Sequence, residues 1–136
     1  MHRQNLKEYE LITLWQEEGH EPFIFFTYSP NLEMDLGKAK GIVQSRLEYS
    51  QGKPCYYLID VTNLKSVTKE AREYMSDKNE GLSGVLGGAF ISNKVLTTVI
   101  VNFFFNINKP SVPARFFTNR DDALIWLRKL KNQAVL

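Results

Sequence analysis

One short run constrains the fold more than any other: Cys55-Tyr56-Tyr57-Leu58-Ile59-Asp60. It is apolar without alternation, and its only charge, Asp60, stands at its end. A strand patterned this way is buried on both faces, as in the centre of a sheet covered by helices. The flanking sequence agrees. Leu36, Ala39, Ile42, Val43 and Leu47 recur at helical spacing before it, and Gln51-Gly52-Lys53-Pro54 closes that helix near Tyr49. After it, a helix is predicted over about Thr68–Asn79, with Ala71, Tyr74 and Met75 as its inner stripe.

The rest of the chain extends this alternation. Tyr9–Gln16 and Pro22–Tyr28 read as two strands joined by the polar Glu17-Glu18-Gly19-His20-Glu21, a β-hairpin. Val61–Val67 reads as a loop, and the glycine-rich Gly81–Gly88 as a flexible connection into a strand at Ala89–Ile91. A helix capped by Ser92 or Asn93 is predicted over Lys94–Phe105, then a loop at Asn106–Pro113 and a strand at Ala114–Phe117. The last helix, Arg120 to about Lys131, has Thr118 or Asn119 as its cap. Asp121 and Asp122 lie at its positive end, and Arg128, Lys129 and Lys131 at its negative end. The expected fold is α/β: a single-layer mixed five-stranded sheet with about four helices, in the order ββαβαβαβα, forming one domain over residues 1–136.

Several chemistries are excluded by what is missing. The two histidines, His2 and His20, fall in the tail and in the hairpin turn, so neither can serve as the base of a nucleophilic triad at a strand end. The lone Cys55 forms no CxxC pair and starts a buried strand, which suits packing better than reactivity. The glycines of GLSGVLGG lack the following Lys of a phosphate loop and precede a strand, not a helix. Glu17-Glu18 and Asp121-Asp122 are sequence neighbours that do not face a common point, so solvated turn and helix-cap roles suffice. No metal, no cofactor and no enzymatic activity are expected.

Location follows from similar arguments. One cysteine and a polar, charged start from Met1 to Glu10 predict a cytoplasmic protein. The longest apolar run, Val95–Ile107, is broken by polar residues and is too short for an integral membrane segment. The net charge of +2 divides unevenly. Residues 1–93 hold 10 Lys/Arg against 13 Asp/Glu, and residues 94–136 hold 7 Lys/Arg against 2 Asp. Seven scattered cations form a solvated rim, and nucleic acid is not expected as a partner.

Two places attract a functional reading. Ligands of α/β sheets bind beyond the carboxyl ends of strands, and the segment after Asp60 offers Asn63, Ser66, Thr68, Lys69 and Arg72 leading into a helix N-terminus. The second is a contact surface. Val101 and Phe105 fall on the polar side of the Lys94–Phe105 helix, and Ile125 is out of phase on the last helix.

With these elements in order, the chain resembles the SpoIIAA-like fold, which includes STAS domains and SEC14-type lipid-binding proteins. The resemblance is carried by YYLIDVTNLKSVTKEAREYM (Tyr56–Met75) and KPSVPARFFTNRDDALIWL (Lys109–Leu127), with the strand and helix between them. In STAS domains a strand ending in Asp leads to a helix N-terminus that carries a phosphorylated Ser. Asp60, Leu64 and Val67 match that pattern. Thr68-Lys69 replaces its Asp-Ser pair and Ala71 its glycine, so the phosphoacceptor is missing. The resemblance implies a non-enzymatic module that binds a protein partner or forms a homodimer. Its SEC14-like side, with the supply of Phe23, Phe25, Phe26, Phe103, Phe104, Phe116 and Phe117, points alternatively to a carrier of a small apolar or lipid-like ligand.

Overall fold

The computed structural model describes residues 2–94 and 111–134. Eight strands and three helices occur among them. They are β1 (Arg3–Glu8), β2 (Ile12–Glu17), β3 (Ile24–Tyr28), β4 (Leu32–Met34), α1 (Leu36–Ser50), β5 (Cys55–Asp60), β6 (Leu64–Val67), α2 (Lys69–Ser76), β7 (Val85–Ile91), β8 (Ala114–Phe117) and α3 (Arg120–Ala134).

Six strands form one mixed sheet in the order β1-β2-β3-β5-β7-β8. The first two pairings are antiparallel and the remaining three parallel. A second, two-stranded sheet pairs β4 with β6 in parallel. The expected hairpin is present as β2 and β3, with Leu14 opposite Phe26. The central strand is β5, flanked by β3 and β7.

The alternation of side chains divides the core into two layers. Ile12, Leu14, Phe26, Tyr28, Tyr57 and Ile59 face α1 and α2. Trp15, Phe23, Phe25, Tyr56 and Leu58 face α3 through Ala123, Leu124 and Leu127. Each helix begins at a side-chain cap: Asp35 accepts from Lys38 N, Thr68 from Ala71 N and Asn119 from Asp122 N. At the end of α1, Gln51 and Gly52 take positive φ and return their N–H groups to the carbonyls of the last turn.

Three sequence expectations change. The sheet has six strands, not five, because the polar start of the chain is an edge strand, β1; one sheet edge is solvent-facing, so polar residues suit it. The 61–67 loop contains β6, which pairs with the equally unforeseen β4. The glycine-rich connection is partly a strand: β7 starts at Val85 and takes in Gly87 and Gly88. A Cβ on Gly87 would sit 2.5 Å from Leu130 Cδ2, so glycine there admits α3 close to the sheet. The expected helix at Lys94–Phe105 falls almost wholly outside the described residues.

Candidate functional site

Residues at alternate positions of adjacent strands share one face of the sheet, and four strands use this to floor a cavity of about 100 Å³. Phe26 and Tyr28 come from β3, Tyr57 and Ile59 from β5, Gly88 and Phe90 from β7, and Ala114 from β8. The minor sheet and the chain before it add Met34, Val61, Leu64 and Val67, and α2 adds Met75. Gly81, Leu82 and Val85 close one side. The described lining is apolar apart from Arg46, Ser76 and the two tyrosines, Tyr28 and Tyr57.

Arg46 reaches this place because α1 turns a face made of Ala39, Ile42, Val43, Arg46 and Ser50 into the core. Its side chain is buried, with 4% of its surface exposed. The guanidinium donates from Nη1 to the Tyr57 hydroxyl at 3.2 Å, and from Nη2 to Gly81 O at 3.2 Å and Ser83 O at 2.6 Å. It also lies over the Tyr57 ring at 5.2 Å. Arg46 thus ties the 81–83 turn to the helix. Backbone crowding demands Gly81 in that turn, since a Cβ there would fall 2.3 Å from Met75 Cα. Burial raises the Tyr57 hydroxyl above its ordinary range, although the Arg46 charge opposes it. Tyr28 is raised by burial in the same way, and more strongly.

The residues singled out from sequence lie beside the cavity, not in its described lining. Asp60 accepts from Thr62 N and forms a local turn. Asn63 donates to Tyr28 O, joining the end of β5 to β3. Ser66 is exposed on β6, and Thr68 caps α2. Lys69 is exposed and faces Glu73 at 3.9 Å, while Arg72 is half-buried on α2. The same segment serves the cavity through its apolar members, Val61, Leu64 and Val67. Polar residues after a central strand drew notice, but their hydrogen bonds shape the turn; the alternating apolar ones make the wall. Arg46 was missed because a lone cation in a helix ordinarily belongs to the solvent face. The available signal was its spacing of i+7 from Ala39.

Of the predicted contact surface, Ile125 is 51% exposed on α3, and Val101 and Phe105 lie outside the described residues. Glu17 departs from its solvated reading: it is 2% exposed and bound to Trp15 Nε1 and to the Arg120 guanidinium. Glu18 beside it lies in the turn after β2 and is exposed. Among the described residues there is no cluster of three or more His, Cys, Asp or Glu suited to a metal ion. No described helix is long and apolar enough to cross a membrane.

Comparison with known proteins adds a family. The model of a domain of unknown function, DUF7793, matches residues 14–131. The chain belongs to the DUF7793 family. That match runs from within β2 through most of α3, and therefore takes in the cavity and Arg46. This DUF7793 chain is also similar in structure to an uncharacterised DUF3478-family protein with a SpoIIAA-like fold from Shewanella loihica PV-4. The TM-score is 0.57 at 18% identity, covering 89% of this chain and 97% of the other. The SpoIIAA-like fold expected from sequence is thereby shown. No curated protein matches the chain.

Proposed function

We propose that this protein is a binding module, not an enzyme, and that it holds a small apolar molecule between the sheet and α2. The observation that carries this reading is the apolar-walled cavity of about 100 Å³. Ligand sites are concave and mostly apolar, with a few placed polar groups. An apolar cavity of comparable size, about 150 Å³, stays dry and accepts benzene in another protein. The small residues Gly88 and Ala114 leave the space, and Phe26, Met34, Leu64 and Met75 give it an apolar boundary. The single thiol, Cys55, supports a cytoplasmic setting.

The test is a titration with toluene followed through side-chain methyl resonances. The methyls of Met34, Ile59, Leu64 and Met75 are expected to shift together and saturably. Shifts confined to surface residues, or none at all, would overturn the proposal.

A second reading is supported by Ile125, a large apolar side chain half-exposed on α3. There the module acts through a protein partner or as a homodimer. Light scattering decides the homodimer: an Ile125→Glu variant would lower the mass of a dimer and leave that of a monomer unchanged.

A further inference from the structure

The cavity contains an electrostatic imbalance. A buried cation is costly unless an anion or a full set of hydrogen bonds compensates it. Arg46 is 4% exposed, yet among the described residues its hydrogen bonds go only to neutral oxygens, those of Tyr57, Gly81 and Ser83. Among the described residues no carboxylate forms a salt bridge with it. A guanidinium carries more donors than these three bonds use. A second polar group shares the cavity. The Tyr28 side chain is 6% exposed and lines the same space. The Arg46 charge acts on its hydroxyl.

A buried cation whose partners among the described residues are all neutral, with a tyrosine beside it on the wall of an apolar cavity, describes half of a recognition site. We propose that the molecule held there is a small amphipathic carboxylic acid, bound as its anion. Arg46 meets the carboxylate as counter-charge and donor, and the Tyr28 hydroxyl donates a further hydrogen bond. The apolar remainder lies against Met34, Leu64 and Met75. Charge-assisted hydrogen bonds of this kind are about twice as strong as neutral ones. The cavity's size limits the ligand to a single ring or a short chain. This inference rests on the cavity reading above and adds the chemical class of the ligand.

Benzoate, benzamide and toluene separate the two ideas, titrated against the full chain and followed by the same methyl resonances. Benzoate is expected to bind about tenfold more tightly than benzamide or toluene. Because Arg46 also holds the 81–83 turn, the informative variant is Tyr28→Phe, which removes one oxygen and keeps the ring. It is expected to weaken benzoate about five- to tenfold relative to its effect on toluene. If toluene or benzamide binds as tightly as benzoate, the anion is wrong and the apolar cavity survives. If Tyr28→Phe leaves benzoate unaffected, the role of the hydroxyl is overturned. If none of the three reaches the cavity methyls, the cavity reading fails and the carboxylate inference falls with it.

Discussion

Glu17, the last residue of β2, and Arg120, the first of α3, are joined by a two-pronged ion pair across 103 positions of sequence. Arg120 Nη1 donates to Glu17 Oε2 at 3.0 Å, and Nη2 donates to Oε1. Trp15 Nε1 donates to Oε2 at 2.9 Å from the same strand. Arg120 also lies over the Phe25 ring at 4.9 Å. The pair fastens the N-terminus of α3 to the face of the sheet opposite the cavity. Fork-to-fork geometry of this kind fixes orientation as well as energy.

Removing one partner leaves the other charge poorly compensated. Glu17→Gln is expected to destabilise the fold by about 2–3 kcal/mol, less than a fully buried pair because the Arg120 side chain is 32% exposed. Arg120→Met should cost a similar amount. The double variant should cost less than the sum, which urea unfolding of all four proteins would measure.

The same carboxylate predicts a dependence on acid. Burial alone would raise Glu17, but the hydrogen bonds from Arg120 and Trp15 and the charge of Arg120 outweigh it, so the group is held below the usual carboxylate range. A depressed carboxylate contributes stability above its unfolded value, about 4.3, and loses it as pH falls through its folded value. The wild-type protein should therefore lose stability below about pH 4.5. Glu17→Gln should flatten that part of the curve. Unfolding midpoints measured between neutral and acidic pH would show whether the two curves converge in acid.

Two glycines of unlike environment should respond in opposite senses. Gly87→Ala places a Cβ 2.5 Å from Leu130 Cδ2 and 3.2 Å from Tyr56 Cδ1. It is expected to destabilise by about 1–3 kcal/mol as α3 is pushed from the sheet. Gly41, inside α1, has nothing within 4 Å of a built Cβ and an ordinary helical φ. Gly41→Ala is expected to stabilise by about 0.5–1 kcal/mol through helix propensity. Thermal denaturation of the two variants checks both signs.

Thr68 acts as the cap of α2, accepting from Ala71 N at 3.2 Å. Thr68→Ala is expected to cost about 1 kcal/mol, and Thr68→Asp to restore most of it, because Asp also caps and suits the helix dipole. Amide hydrogen exchange in α2 would report the change locally. A Thr68→Asp protein less protected in α2 than Thr68→Ala would contradict the capping role.

The elements legible from sequence were those whose signals are local. Helix α3 announces itself through Asn119, Asp121 and Asp122 at one end and Lys131 near the other. Helix α1 does so through its periodicity and closing glycine, and β5 through its lack of alternation. These patterns act within a few residues, by capping, dipole and turn chemistry. The SpoIIAA-like fold was within reach because the order of such elements leaves few topologies.

The remainder depended on partners far away in the chain. Arg3–Glu8 is polar, and becomes β1 only because β2 offers an unpaired edge. Leu32–Met34 and Leu64–Val67 are each too short to stand as strands, and exist through pairing with one another. Glu17 and Arg46 resemble solvent-facing charges in the linear sequence. Tertiary structure buried both, giving Glu17 a cation and giving Arg46 only neutral oxygens among the described residues. The amino-acid sequence by itself therefore determined the class of fold and the ends of its helices. The closing of β3, β5, β7 and α2 around one cavity decided where a ligand could lie. Burial and pairing are properties of surfaces brought together from distant residues, and no short stretch of chain contains them.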